Sequence, residues 1–194
     1  MRNSPADRVP SHGTEAFASA RAVDLVPVDA DGRTGRVTLR TWLAPEAPEH
    51  FPGYGRAVIA PCDGVVVSVF DDTEDHGARR GLPSLAYALT QGRRVLAGWR
   101  SLAGNHVILQ ATDGPFVALC HLRRGSAAVV VGDRVRSGQL LAECGNSGNS
   151  TEPHLHLQAM TQADPSVAHP VAVTLVGRMP RTGEVVQSAP SPGP

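Results

Sequence analysis

The stretch Gly145-Asn146-Ser147-Gly148-Asn149-Ser150-Thr151-Glu152-Pro153-His154-Leu155-His156-Leu157-Gln158 runs from a turn-rich loop into a short strand that carries two histidines. Strand side chains alternate between faces, so His154 and His156 point one way while Leu155 and Leu157 point the other. Two imidazoles on one face of a sheet suit a metal site. One binds zinc through a ring nitrogen, and its neighbour binds the same ion or handles a proton beside it. A solvated strand with two ordinary histidines would look the same in isolation, so the partners elsewhere in the chain decide.

Working outward, Asn105 to Gln110 and Pro115 to His121 read as strands flanking the turn Ala111-Thr112-Asp113-Gly114. Arg124-Gly125 begins the next reversal, and residues 132–141 alternate turn residues with core anchors. The apolar run from Ala57 to Phe70 places Asp63-Gly64 for a tight reversal between two antiparallel strands. Ala22 to Val26 is a further short strand with Asp24 inside it. A carboxylate there needs a charge partner, hydrogen bonds or a metal, because desolvating it alone is costly. Residues 38–43 read as a strand and residues 44–55, rich in proline and glycine, as irregular chain. Residues 71–102 form an insertion with a short helix, either covering an edge or end of the sheet or moving as a lid; ordinary connections are shorter. Val171 to Val176 is a last apolar strand. Short strands, glycine turns and little helical periodicity predict an antiparallel all-β domain.

The 194 residues suffice for one large domain with a core of its own. Residues 1–11, with Pro5 and Pro10, read as a flexible lead-in, residues 12–178 as the folded unit, and residues 179–194 as a tail whose final 188–194 should be disordered. Eighteen basic and eighteen acidic residues balance, so no global field recommends nucleic acid or an anionic membrane. Cys62, Cys120 and Cys144 are odd in number and widely spaced, which argues for buried thiols over a disulfide scaffold. The amino-terminal sequence lacks the uninterrupted apolar segment of a secretory signal, and no apolar run reaches the roughly 18 residues of a membrane span. Localisation stays open between the cytoplasm, a removed leader and another export route.

The motifs follow a definite order: Ser11-His12-Gly13-Thr14, the strand aspartate Asp24, Ala60-Pro61-Cys62-Asp63-Gly64, Gly104-Asn105-His106, Cys120-His121-Leu122, residues 132–141, and the glycine-rich stretch ending in Pro153-His154-Leu155-His156. This order resembles the M23 family of zinc metallopeptidases, the lysostaphin-like cell-wall endopeptidases, over roughly residues 12–160. The resemblance implies an antiparallel two-layer β-sandwich and one zinc ion (Zn2+) held by His12, Asp24 and His156. It implies His121 and His154 as catalytic histidines that handle protons while a metal-activated water attacks a peptide carbonyl. The implied substrate is a peptidoglycan stem or cross-bridge peptide, which would place the protein outside the cell or in its envelope. One departure stands out: the family sets its first histidine and its aspartate close together, whereas eleven residues separate His12 from Asp24 here. His12 must therefore fold back from a loop.

The remaining polar residues have plainer readings. His106 is expected in a packing or surface role, and His50, His76 and His169 lie in loops. Cys120 should point away from His121 if their strand is regular. Glu152 reads as a solvated loop carboxylate. The small residues of Gly145 to Gly148, which lack a Walker lysine, let the backbone approach the cleft or substrate. Arg123 and Arg124 are candidates to meet substrate carboxylates at the cleft edge. Against the endopeptidase stand two other functions: a catalytically inactive M23-like binding or regulatory domain, and a β-sandwich carrier domain, for which no modification site is identifiable.

Overall fold

The computed structural model describes residues 1–36, 38–175 and 177–187. Its strands are β1 (Val23–Leu25), β2 (Ala57–Ile59), β3 (Gly64–Phe70), β4 (Asn105–Ala111), β5 (Phe116–Leu122), β6 (Arg134–Val135), β7 (Leu140–Glu143), β8 (Leu155–Met160) and β9 (Pro170–Val171). The large sheet runs in the order β1-β8-β5-β4-β3-β6, with β9 also paired to β8, and every pairing is antiparallel. The β4–β5 hairpin forms where alternating apolar residues flank the Asp113-Gly114 turn.

Both faces of this sheet are buried, by different means. Val107, Leu109, Leu119 and Leu157 form one face and pack with Val58, Leu141 and Ala142 of the separate two-stranded sheet β2–β7. Ile108, Ala118, Cys120 and Met160 form the other face, where small side chains let Ala18 of a 3-10 turn (Ala16–Arg21) and Ala103 of a helix approach closely. The chain is therefore a mixed α/β fold with open sheets, not the expected all-β two-layer sandwich. One layer over the large sheet is helix and turn.

The helices are α1 (Leu39–Leu43), α2 (Leu82–Leu89), α3 (Gln91–Leu96) and α4 (Trp99–Ala103). The expected strand at 38–43 is α1: Leu39, Trp42 and Leu43 have i, i+3, i+4 spacing, and Thr38 and Thr41 close a reciprocal capping box. The insertion holds α2–α4. Pro83 lies in the first turn of α2, and Leu82–Leu89 contains no β-branched residue to oppose helix. Asp63-Gly64 does not close a hairpin, because β2 pairs with β7 while β3 pairs with β4 and β6.

At the sheet's edge, Arg2 exchanges both backbone hydrogen bonds with Asp24, and Ser4 Oγ donates to the Pro180 carbonyl. The expected last strand is confined to β9, while Val176 and the tail 188–194 lie outside the described residues. Among the described residues no helix is long and apolar enough to cross a membrane.

Candidate metal centre

The register of β1 against β8 places Asp24 directly opposite His156, so carboxylate and imidazole leave the sheet on the same face. His154 lies one strand repeat earlier. On the other side of β8, His156 pairs with Cys120. A regular β5 would then send His121 to the opposite face. Instead the β4–β5 register shifts, with Asn105 opposite Leu122 and His106 opposite Cys120. His121 is the extra residue of this bulge, at a left-handed φ of 62°. The bulge brings its ring 4.7 Å from that of His154 and 5.7 Å from that of His156, centroid to centroid. Cys120 consequently faces the site's floor, not away from it. Burial, and then Asp24, push its thiol far up, so it is an inert thiol.

His12 arrives by a loop. The Ser11 amide donates to the Ala20 carbonyl and its hydroxyl donates to that of Ala22, 2.7 Å away, which folds the lead-in against the start of β1. His12 Nε2 and His156 Nδ1 each lie 3.1 Å from Asp24 Oδ1. Among the described residues these three side chains form the one group able to hold a metal ion, with ligand atoms within 4.8 Å of one another.

Hydrogen bonding behind the rings tests whether a cation fits. The Gln158 amide nitrogen donates to the Phe17 carbonyl at 2.8 Å, so its oxygen, 3.0 Å from His156 Nε2, accepts from that nitrogen. Ser11 Oγ, already a donor to Ala22, accepts from His12 Nδ1 at 3.0 Å. Neutral rings so oriented aim two lone pairs at a carboxylate oxygen. Such a convergence repels unless a positive charge stands within it, and the donor set of two nitrogens and one oxygen suits zinc with a coordination position left open. The residues fit the metal. Asn3 Nδ2 donates to the carboxylate's other oxygen, Asp24 Oδ2, at 2.7 Å.

The same polarity moves the protonation equilibria of the metal-free site. Burial raises the Asp24 carboxyl, but the His154 charge and the close polar contacts with the His12, His154 and His156 rings outweigh it and hold the group well below the carboxylate range. Burial lowers His154, but the Asp24 charge, the contacts with Asp24 and the Glu152 carbonyl, and the Glu152 charge together outweigh it, leaving that imidazole raised. His121 is held well below its ordinary value by burial and by the charges of His154 and His156. His121 Nδ1 donates to the Ser147 carbonyl at 2.9 Å and His154 Nδ1 to that of Glu152 at 2.7 Å, which leaves each Nε2 as the reactive nitrogen. His154 Nε2 is 3.5 Å from Asp24 Oδ1.

Other expectations change on inspection. Glu152 is not solvated: it is 2% exposed and paired with Arg2. His106 keeps the expected packing role: it is buried and donates from Nδ1 to the Gly104 carbonyl at 2.8 Å. Gly148 approaches backbone of the same chain, since a Cβ there would lie 2.4 Å from Gly104 N. Arg123 and Arg124 are engaged by Glu143 and by Asp72 and Glu74, away from the cleft. The insertion is latched to the histidine loop: the Tyr87 hydroxyl donates to the Gly148 carbonyl and the Asn149 amide to the Leu102 carbonyl. It forms one wall of the cleft over the site, with Tyr87, Arg94 and Trp99 among its lining residues.

Sequence reading missed the three residues behind the ligands. Gln158 carried a readable signal, because it continues the His154, His156 alternation onto the same face. Ser11 and Asn3 carried none.

Residues 72–167 match the family model described as Peptidase family M23. That segment contains His121, His154 and His156 but neither His12 nor Asp24. Glycyl-glycine endopeptidase ALE-1 of Staphylococcus capitis is 39% identical over 77 residues, covering 39% of this chain and 21% of that protein. DD-carboxypeptidase/endopeptidase Mpg of Neisseria meningitidis serogroup B is 33% identical over 101 residues, covering 52% of this chain and 22% of that protein. The chain thus matches about a fifth of the length of these curated relatives. Among solved structures, the catalytic domain of lysostaphin from Staphylococcus simulans aligns at 22% identity and a TM-score of 0.39, covering 66% of this chain and 83% of that one.

Proposed function

From the premise that the chain belongs to peptidase family M23, we propose that it is a zinc-dependent endopeptidase hydrolysing peptide bonds in peptidoglycan stem or cross-bridge peptides. The observation that carries this reading is the convergence of His12, Asp24 and His156 beside two further buried imidazoles. The names of the relatives, a glycyl-glycine endopeptidase and a DD-carboxypeptidase/endopeptidase, supply the substrate class. We assign the catalytic and metal-ligating residues to the unit 12–178, with Asn3 and Ser11 of the lead-in 1–11 supporting Asp24 and His12, and the tail beginning at 179.

His12 Nε2, Asp24 Oδ1 and His156 Nδ1 would hold the ion. When bound, zinc supplies a Lewis acid that polarises the scissile carbonyl and lowers the pKa of a water molecule. The chain's own groups do the rest. His121, kept neutral by burial, accepts a proton at Nε2 from the attacking water. His154, its Nδ1 tied to the Glu152 carbonyl and its Nε2 facing the site, donates from Nε2 to the developing oxyanion or the departing amine. The Ser147 and Glu152 carbonyls hold the two rings in the required tautomer. The insertion wall and the His12 loop bound the cleft on either side and confine an extended peptide between them.

Cleavage of defined peptidoglycan fragments with and without chelator, followed by mass analysis, tests the proposal. Amide scission that chelation abolishes and zinc restores is the expected result. Scission of the glycan chain, or amide scission indifferent to chelator, overturns it.

A further inference from the structure

Most arginines held by side chains in this fold are paired with acids: Arg80 with Glu46, Arg123 with Glu143, Arg124 with Asp72 and Glu74, Arg178 with Glu184. Arg94 is fixed at least as firmly, but by neutral groups. Its Nε donates to Asn149 Oδ1, Nη1 to Thr90 Oγ1 and Nη2 to the Tyr87 carbonyl, each at 2.7 Å. Its guanidinium also stacks on the Tyr87 ring, 3.7 Å from the centroid. Tyr87 is itself pinned by its hydroxyl to the Gly148 carbonyl, in the loop that leads to His154. A second guanidinium, that of Arg79, lies 4.4 Å from the same ring, again with no carboxylate among the described residues.

Two like charges on one ring, half-buried and without a counter-ion, form an arrangement that an anion stabilises. The cleft repeats the asymmetry. Arg94 lines it from the insertion side and Arg8 from the lead-in side, while Asp24, committed to the metal centre, is the one acid in its lining among the described residues. Among the described residues Arg8 spends only Nε, on the Ser11 carbonyl at 3.2 Å, which leaves both of its terminal nitrogens to a ligand.

We propose that Arg94, presented by Tyr87, and Arg8 on the facing wall form a carboxylate subsite, and that the preferred substrate is a peptide carrying a free carboxylate close to the scissile bond. The proposal rests on the endopeptidase reading above and narrows it. An oligoglycine cross-bridge has no side-chain charge to offer this wall, whereas a stem peptide with an acidic residue or a free carboxyl group does. Arg94 determines specificity here. It does not touch the reacting atoms.

The test uses the zinc-loaded full chain and synthetic hexapeptides with a central glycyl-alanyl bond and an amidated carboxyl terminus. Each pair differs in one residue, glutamate or glutamine, placed one, two or three positions to either side of that bond. Binding is measured by calorimetry, turnover by mass analysis. In at least one position glutamate should bind roughly tenfold more tightly than glutamine, with the difference in KM and not in kcat, as one charge-assisted contact predicts. R94Q should bring that ratio close to one, R94K should retain part of it, and R8Q should reduce it without altering the Tyr87 contacts. Equal or absent binding in every position overturns the proposal. So does a glutamate preference that survives in both R94Q and R8Q, since the metal alone would then be reading the carboxylate. A preference in binding with no turnover leaves the subsite standing and sinks the endopeptidase reading instead.

Discussion

The metal centre is assembled by two regions that position side chains in different ways. Asp24 and His156 are opposite partners in an antiparallel ladder, so backbone hydrogen bonds fix their separation before any side chain is considered. His12 has no ladder. It is held by a turn whose main restraint is Ser11, bonded through its hydroxyl to the Ala22 carbonyl, and that turn is followed by Phe17 and Ala18 at φ of 56° and 59°. Left-handed backbone at non-glycine residues is costly and persists where the surroundings impose it. A ladder therefore supplies half the site rigidly, and the loop half completes it with an imidazole that has travelled eleven residues to arrive.

The ladder half should fail hardest. The ~10–16 kcal/mol typical of a structural zinc site with four protein ligands corresponds to ~3 kcal/mol for each, or about 10^2-fold in affinity. Asp24→Ala and His156→Ala should lose at least this much, and more for Asp24, whose removal sets buried imidazoles against one another. Equilibrium dialysis reads the zinc, and hydrolysis should fall below detection. Stoichiometric tight zinc in Asp24→Ala would dissolve the centre described above.

His154→Ala separates chemistry from binding on the same strand. His154 is raised by Asp24, and its Nε2 is 3.5 Å from the carboxylate, yet it is not one of the three converging ligands. Zinc content should stay near one per chain while kcat falls by roughly 10^2–10^4, the usual span for loss of a general acid or base. Loss of the ion in this variant would move His154 from proton handling to coordination.

His12→Ala tests the loop half directly. A loss of about 10^2-fold in zinc affinity, with the fold intact by circular dichroism, is expected if the loop contributes one of the three protein ligands. Unchanged tight zinc would show that the ladder alone holds the ion and that the extended His12 to Asp24 spacing has taken His12 out of the centre.

The two regions also differ in how far residues alone reveal them. Alternation of His154 and His156 against Leu155 and Leu157 carries the face assignment on the ladder side, and the Asp113-Gly114 turn carries the β4–β5 pairing. His121 is only partly readable, because alternation cannot anticipate a bulge: a strict strand would have placed Cys120 and His121 on opposite faces, whereas the bulge brings both to the site. The early region yields less. Leu39, Trp42 and Leu43 are compatible with strand until the Thr38–Thr41 capping box is recognised, and that misreading, with the three helices of the insertion, is why an all-β fold was expected. Asn3 meets Asp24 across 21 residues through a single side-chain bond, and no periodicity encodes such a contact.

The finest test compares the groups behind the two histidines. Gln158 is fully buried and anchored at both ends, to His156 and to the Phe17 carbonyl. Ser11 is equally buried and anchored to Ala22, but the hydroxyl that orients His12 is also the restraint that shapes the loop. Replacing either by alanine frees a ring and should weaken zinc by about 10- to 100-fold, the range for partners one bond removed from a metal. The regions then diverge. With β1 and β8 still paired, Gln158→Ala should lower affinity with little change in the rate at which zinc enters, because the ligand remains on its strand. Ser11→Ala should lower affinity and slow entry together, because the loop must first find His12 its place. Stopped-flow zinc binding separates the cases, and identical kinetics in the two variants would mean that the loop is as preorganised as the ladder.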